Sequence, residues 1–431
     1  MTGLRLLYLA QGATTAFLSP FIAVILRERG LDAATIGAIM AIAAIGLVVS
    51  VPIWGHVGDA ILGRRRTLGL CVAIAAAVAL GIGSPVTGLA LAALVVAFSF
   101  SQGASLGLTD ALAVGVLTDP HRQYGRVRMM ASLSFAVTSI SVGVLYDRTG
   151  FPAASLLYVC GALAMFGALV RTRGSSPNRA LAHGVGPAAM GHEQIHDPVG
   201  AGVQPHAGAG SSEPRTASRF GSTGLAFAVQ PRLLGVLAAV FLVYFAVVVS
   251  STFVSLRIVS LGGQASDVAL YFGISAFAEI PTLLVAARLA SRLGLRGLFS
   301  VSAIGFAAAF LSWTVLDNPG AIVATRLVTG PCFAGLTVAM VLTIGEILPA
   351  NLQTTGQTLF QGTAGGVASV AGNSIGGLIA GSAGFPVLFL VCAAVLVAGA
   401  AVGWLVLPRN VTRLPQPPVI DEVIVGGAPL L

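Results

Sequence analysis

The sequence predicts an all-α membrane protein with twelve transmembrane helices in two pseudo-symmetric six-helix bundles. Of its 431 residues, 56% are hydrophobic and only 9% are charged, and the mean hydropathy is +0.93. Soluble domains usually carry about 25% charged residues, which argues against an ordinary soluble enzyme. Apolar runs of about 18 to 25 residues recur along the chain, enough to cross about 30 Å of hydrocarbon as a helix. One loop pattern also occurs at the same place in each half.

Each apolar run, with the turn residues that flank it, defines one span. In the first half we predict spans at 4–26, 34–58, 67–83, 87–112, 128–146 and 153–170. In the second half we predict spans at 233–256, 267–288, 297–316, 320–345, 355–380 and 385–407. The first run is too long for a cleaved signal peptide. The predicted units are therefore bundles at 1–170 and 233–408, a flexible cytoplasmic linker at 171–232 and a cytoplasmic tail at 409–431.

The arginines predict the orientation. All 23 basic residues are Arg. With the N-terminus inside, and the long central connection left out, twelve arginines lie on the cytoplasmic side and four outside. The positive-inside rule then places both termini in the cytoplasm and the protein in the plasma (inner) membrane as a multi-pass protein. Arginines spread between apolar runs argue against nucleic-acid binding, and the four isolated cysteines are predicted to pack rather than bind metal.

A Gly-Asp-Arg loop follows the second span. The segment Gly55-His56-Val57-Gly58-Asp59-Ala60-Ile61-Leu62-Gly63-Arg64-Arg65-Arg66 resembles the cytoplasmic loop signature of the major facilitator superfamily, with one extra residue between Asp59 and Gly63. A second copy, 287–296, follows the eighth span, and there Gly294 restores the signature spacing. Such repetition is typical of two parallel six-helix repeats, and the resemblance implies the major facilitator fold. The alternative is an ordinary positive-inside turn.

In that superfamily these loops act as gates on the cytoplasmic side. The resemblance therefore implies a cytoplasmic gate built from Gly55, Asp59, Gly63, Arg64 and Arg65 in the first half, and from Arg288, Arg292 and Glu346 in the second.

An acid near the inner end of the fourth span marks a candidate binding site. Asp110 lies in Gly107-Leu108-Thr109-Asp110-Ala111-Leu112, and Gln123-Tyr124-Gly125-Arg126-Val127-Arg128 follows it. This combination resembles the phenylpropionate-permease and lactose-permease branch of the superfamily. The resemblance implies that Asp110 and Arg128 bind the substrate as a pair and that the ring of Phe135 stacks on it. A salt bridge that only joins two helices is the alternative.

Two further charges lie inside predicted spans, and buried ionisable residues in spans are candidate functional groups. Glu279 lies in the eighth span and Arg326 in the tenth. Their opposite charges in one half predict an ion pair. The pair either couples transport to protons or only joins two helices. Thr329 and Thr337 occupy positions where the resembling permeases carry histidines, which weakens proton coupling. Polar residues at helical spacing predict that Gln11, Thr15 and Tyr244 line the cavity.

We therefore expect a secondary active transporter that takes up a small organic solute with protons, such as an aromatic acid, a sugar or a nucleoside-like compound. A proton-antiport exporter of drugs or sugars is the alternative. The expected partners are the lipid bilayer and the small-molecule substrate, without cofactor, metal or nucleic acid, and the expected functional unit is the monomer. A hydrolase is the third hypothesis, from the accidental-looking motifs His192-Glu193-Gln194-Ile195-His196 and Gly103-Ala104-Ser105-Leu106-Gly107.

Overall fold

The computed structural model describes residues 2–117, 120–172, 231–348, 356 and 359–409, and the regular secondary structure of these residues is helical. The helices, numbered in chain order, are α1 (Thr2–Glu28), α2 (Ala33–Ile61), α3 (Arg64–Gly83), α4 (Gly88–Val116), α5 (Pro120–Thr149), α6 (Pro152–Arg171), α7 (Pro231–Ser260), α8 (265–293), α9 (295–315), α10 (Pro319–Ile347), α11 (359–383) and α12 (385–406). Most of the predicted linker and tail lies outside the described residues.

The observed helices agree with the predicted spans in kind and in order. Among the described residues, ten helices are long and apolar enough to cross a membrane. Two long helical runs, Ala265–Val315 and Leu359–Val406, each contain one break. The breaks lie at Gly294 and Gly384, whose φ angles are 70° and 83°. Each interruption falls between two predicted spans. The all-α membrane fold is confirmed, and the count of twelve crossings stays a prediction.

Glycines with positive φ mark the two halves as repeats. Three pairs of them recur at nearly the same interval along the chain, namely Gly30 and Gly262, Gly63 and Gly294, and Gly150 and Gly384. Gly63 and Gly294 directly precede α3 and α9, so they occupy equivalent places in the two copies of the loop signature. Residues other than glycine rarely adopt this backbone conformation, because their Cβ is sterically hindered there. Both copies of the loop place a glycine with positive φ directly before the next helix, so the extra residue before Gly63 does not change this turn.

Polar side chains begin several helices by accepting the free backbone N–H groups of the first turn. The carboxylate of Asp32 accepts from Thr35 N at 2.9 Å before α2, and the amide oxygen of Asn318 accepts from Ala321 N at 3.2 Å before α10. The hydrogen bonds from Thr35 also hold the pKa of the Asp32 carboxyl below its ordinary value. These caps place the sharp turns between spans at the predicted outer side.

The closest contacts between the two halves lie at one end of the bundle. There α2 packs on α11 and α5 packs on α8. We call this the outer end, after the predicted orientation, because it carries the α1–α2 and α7–α8 connections. Gly37 and Gly377 touch backbone to backbone, and Gly143 touches Ala269 and the backbone of Ser266. Small residues thus let two helix pairs approach closely across the interface.

One charged hydrogen bond also joins the halves at the outer end. The carboxylate of Asp147, near the end of α5, accepts from the backbone N–H of Ser266 in the first turn of α8 at 3.0 Å. An acid at a helix N-terminus is favoured by the helix dipole. A little deeper, Ser139 Oγ donates to Ala269 O at 3.3 Å. The outer end is therefore closed by packing and by hydrogen bonds together.

Gly37→Val tests whether this close approach is needed for transport. A Cβ at Gly37 would lie 2.7 Å from Gly377 Cα and would also meet the carbonyl oxygen of Asn373. Overpacking costs about 1–3 kcal/mol, so we expect conformations with the outer end open to be favoured and uptake to fall by about tenfold or more. Alkylation of a cysteine substituted for the buried Ala33 should become faster.

The matched control for this substitution is Gly167→Val on α6. No atom lies within 4 Å of a Cβ built at Gly167, so both uptake and alkylation should stay at the level of the unsubstituted protein. Equal behaviour of the two valine variants would contradict a role for the Gly37–Gly377 contact.

The outward surface of the helices is apolar. Many large hydrophobic side chains are exposed, and those of Leu89 and Leu405 are 87% and 81% exposed. In water such a surface would be a binding or aggregation hazard. In a membrane, apolar lipid chains surround these side chains, so their exposure is expected for a multi-pass membrane protein.

Candidate functional site

A break in α4 sets the position of Asp110. The span consists of two helices, Gly88–Gln102 and Ser105–Val116, separated at Gly103 and Ala104. Gly103 lies against α2, where an added Cβ would meet the hydroxyl of Ser50 and, at 3.1 Å, the carbonyl of Leu47. The prediction treated this span as one continuous helix. The break makes the second half a separate short helix, and Asp110 projects from its middle.

Asp110 and Arg128 form the predicted pair. Arg128 Nη1 lies 3.0 Å from Asp110 Oδ2. The other carboxylate oxygen, Oδ1, accepts the hydroxyl proton of Tyr8 on α1 at 2.6 Å. Arg128 Nη1 also donates to the hydroxyl of Tyr124, one turn earlier on α5, at 2.6 Å. Three helices of the first half therefore contribute to one charged network.

The two members of the pair differ in exposure. The side chain of Asp110 is 11% exposed and that of Arg128 is 48% exposed. Two donors thus hold the carboxylate inside the first half, while about half of the Arg128 side chain is exposed. A guanidinium keeps its charge and offers five N–H donors. The arrangement presents a fixed, partly unused hydrogen-bond surface to a solute with hydroxyl groups.

The other residues predicted for the first half divide between two places. Phe135 follows Arg128 by seven residues on α5, which puts it on the same face two turns away, and it is half-buried. Gln11 and Thr15 lie instead inside the first half, in a small polar cavity that they share with Ser101 and Gln102 of α4. Gln102 Nε2 lies 3.4 Å from Thr15 Oγ1, so Thr15 is part of an internal network.

Tyr244 is the predicted binding residue on α7. Its side chain is buried, and its ring meets the rings of Phe333 and Phe360 edge to face. The hydroxyl lies 3.5 Å from Thr337 Oγ1 on α10. The structure thus places Tyr244 in an aromatic cluster that joins α7, α10 and α11.

The predicted pair of Glu279 and Arg326 does not form. Ser275 Oγ donates to Glu279 Oε1 at 2.9 Å, one turn earlier on α8. Arg326 lies over the ring of Tyr271, 3.9 Å from its centroid, and its Nε donates to Tyr271 O at 3.1 Å. Each charge has a local partner on α8, and Tyr271 and Glu279 lie two turns apart on that helix. That separation prevents a direct ion pair between the two residues, although the charge of Arg326 still acts on the Glu279 carboxyl.

The predicted gate residues lie at the end of the bundle opposite the outer end. Arg64 Nε lies 2.7 Å from Asp59 Oδ1, and both side chains are exposed. Arg65 Nη2 donates to Val170 O at 3.2 Å, which ties the loop to the end of α6. No atom lies within 4 Å of a Cβ built at Gly55, and Gly63 directly precedes α3.

The second copy of the loop is more open. Arg288 and Arg292 are exposed and Glu346 is half-buried.

Sequence reasoning gave no role to the tyrosines that surround the charges. Tyr8 precedes Gln11 by three residues and Thr15 by seven, so the same helical spacing that selected those two residues also selects Tyr8. Tyr124 was part of the quoted motif, one turn before Arg128. Tyr271, in contrast, has no sequence signal that links it to Arg326, because the two lie on different helices.

The serine-hydrolase motif Gly103-Ala104-Ser105-Leu106-Gly107 lacks the structural setting that its chemistry needs. A nucleophile elbow joins a strand to a helix, whereas Ser105 follows the helix Gly88–Gln102. The His192–His196 motif lies outside the described residues.

Known proteins with similar sequences and folds are membrane transporters. The model of the MFS_1 like family matches residues 1–391. The maltose permease of Geobacillus stearothermophilus is 27% identical over 379 residues, which cover 87% of this chain and 85% of that protein.

Two solved structures share the fold. The nucleoside transporter NupG superposes with a TM-score of 0.72 at 15% identity over 94% of this chain and 98% of that one. A D-xylose-proton symporter gives 0.66 at 16% identity over 95% and 97%. The family match, the apolar helices and the charged network inside them lead to one conclusion: the chain belongs to the MFS_1 like family of the major facilitator superfamily, as a secondary transporter of small solutes and not an enzyme.

Proposed function

We propose that the protein imports a small polar organic solute together with protons, by alternating access between its two halves. The observation that carries this proposal is the Asp110–Arg128 pair, held by Tyr8 and Tyr124 within the membrane-spanning part. Ionisable residues inside membrane spans are candidate functional groups. A guanidinium edge that remains exposed suits a solute with several hydroxyl or carboxylate groups.

The similarity to a maltose permease supports a sugar or another hydroxyl-bearing solute as the substrate class. Proton coupling is supported by Glu279, a half-buried carboxyl that forms no direct ion pair with an arginine among the described residues. Such a carboxyl can gain and lose a proton as its surroundings alternate between water and protein. The fold is also shared with a proton symporter.

Export by proton antiport is the second candidate, because the same groups can serve either direction. Reconstituted vesicles with an imposed proton gradient separate the two. If the interior is alkaline and the chain faces as in the cell, an importer accumulates labelled sugar, and a protonophore abolishes the accumulation. Extrusion of preloaded sugar under this same gradient, or accumulation when the gradient is inverted, would instead support the exporter.

We also propose that the protein works as a monomer in the plasma (inner) membrane, with no cofactor and with both termini in the cytoplasm. The distribution of arginines supports this orientation. Reporter fusions at the two termini test it, and termini on opposite faces would contradict it.

A further inference from the structure

Arg326 is the most deeply buried arginine side chain of the site. Its residue is only 7% exposed, on the face of α10 that packs against α8. A guanidinium stays charged at physiological pH, and a buried charge without a partner is strongly unfavourable. Nevertheless, the ion pairs formed within the described residues join other arginines, namely Arg64, Arg128 and Arg257. Among the described residues no carboxylate lies within ion-pair distance of Arg326, although Glu279 is near enough for the two charges to interact.

Most of the hydrogen-bonding capacity of Arg326 is unused. In the part of the chain that the structure describes, its hydrogen bond is the one from Nε to Tyr271 O at 3.1 Å. The Tyr271 ring lies 3.9 Å from the guanidinium carbon and the Phe272 ring 5.9 Å from it. Aromatic rings hold the guanidinium in place but accept no conventional hydrogen bond. The two Nη groups therefore retain the planar fork that binds a carboxylate through two parallel bonds.

A second group without a hydrogen-bond partner lies one turn further along the same face of α10. Thr329 follows Arg326 by three residues on α10, so its side chain lies on the same face of the helix. Its hydroxyl oxygen is fully buried and has no hydrogen-bond partner among the described residues. A polar atom left in this condition is uncommon in folded proteins. The guanidinium of Arg326 and the hydroxyl of Thr329 could both donate hydrogen bonds to an anionic oxygen that binds between them.

The nearest acid of the same half is engaged elsewhere. Glu279 accepts from Ser275 Oγ at 2.9 Å, two turns along α8 from Tyr271. At Gly330 the helices pack closely, since a Cβ there would lie 3.1 Å from Ser275 O. This packing keeps the carboxylate of Glu279 and the guanidinium of Arg326 in separate positions along the α8–α10 interface.

We infer that Arg326 and Thr329 form a binding subsite for the carboxylate of the transported solute, with the Tyr271 ring against the face of the guanidinium. The inference rests on the proposed function and narrows its substrate class to small organic anions. The Asp110–Arg128 pair is internally neutral and binds the hydroxyl part of such a solute, whereas Arg326 neutralises its negative charge. The two halves thus recognise different ends of one molecule.

Benzoate and benzamide provide matched probes, because they share a ring and differ in the carboxylate. The purified full-length chain is titrated with each at constant ionic strength, and the midpoint temperature of unfolding, Tm, is recorded. We expect benzoate to raise Tm and benzamide to leave it unchanged, because binding to the folded state stabilises it. In Arg326→Gln the benzoate concentration needed for the same shift should increase by about tenfold or more.

Two further variants control for folding and for general charge. Thr329→Val removes only the hydroxyl and should weaken the benzoate response, while Thr329→Ser should restore it; this series holds even if Arg326→Gln fails to fold. Arg257→Gln removes an arginine that pairs with the exposed Asp317, and it should respond as the unsubstituted chain does.

An absent benzoate shift, an equal shift with benzamide, or unchanged responses in Arg326→Gln and Thr329→Val would each overturn the inference. The measurement needs no gradient and no transport. A normal benzoate response without any proton-driven uptake would therefore count against the proposed function alone, and sugar uptake without a benzoate response would count against this subsite alone.

Discussion

Asp110→Asn should reduce uptake at low solute concentration by about 100-fold or more, while the protein still inserts and folds. The amide cannot neutralise Arg128, and it presents an N–H group where the carboxylate offered a lone pair to the solute or to Tyr8. Hydrogen bonds to charged groups are each worth about 1.5–3 kcal/mol, and every 1.4 kcal/mol is about tenfold in affinity. Initial rates of labelled solute uptake measure the effect.

The effect of this substitution on stability should be small. The side chain of Arg128 is 48% exposed, so solvent can stabilise its charge once Asp110 no longer neutralises it. A modest decrease in Tm with a large loss of uptake is the expected combination. The matched control is Asp317→Asn, which changes an exposed acid at the outer end and should leave uptake nearly unchanged.

A double substitution separates binding from a merely structural salt bridge. If the pair only joins α4 to α5, Asp110→Asn combined with Arg128→Gln removes both charges and should recover much of the uptake. If the pair binds solute, the double variant should be as inactive as either single variant. Recovery of uptake would therefore contradict the binding role, as would normal uptake by Asp110→Asn alone.

Glu279→Gln should abolish accumulation of solute against its gradient but leave exchange of solute across the membrane intact. Glutamine has nearly the same shape and still meets Ser275, but it cannot carry a transferable proton. A proton gradient of about one pH unit can support at most about tenfold accumulation at equal stoichiometry, and in this variant the inside and outside concentrations should become equal. Accumulation and counterflow in the same vesicles measure the two properties separately.

The control for this experiment is Glu28→Gln, an exposed acid at the end of α1, which should accumulate solute normally. Accumulation by Glu279→Gln at the level of the unsubstituted chain would show that another group carries the proton. Loss of both accumulation and counterflow would assign Glu279 to solute binding instead.

The arrangement of the spans was predictable because it depends on local chemistry. An apolar run that must cross lipid has to satisfy its own backbone, so it forms a helix wherever it occurs. Turn residues and caps such as Asp32 and Asn318 mark where each helix starts. The break at Gly103 was missed because it results from close packing on Ser50 of another helix, which no local pattern reveals.

The candidate site was only partly predictable. Asp110 and Arg128 were identified through a motif, and the structure brings them together. Glu279 and Arg326 were paired on sign alone. The structure shows no direct ion pair between them, because Ser275 and Tyr271 contact the two groups two turns apart on α8, but their charges still interact. Gln11 and Thr15 have the right helical spacing, but the face they share points into the first half.

The sequence by itself determined that this chain crosses the membrane many times in two related halves, because hydropathy, glycine turns and arginine placement act within a few residues of one another. Only the tertiary structure decided which polar groups meet. Asp110 lies next to Arg128, and Arg326 forms no ion pair with a described carboxylate, because of the way separate helices pack. The neighbours that stabilise a charge are far from it along the chain.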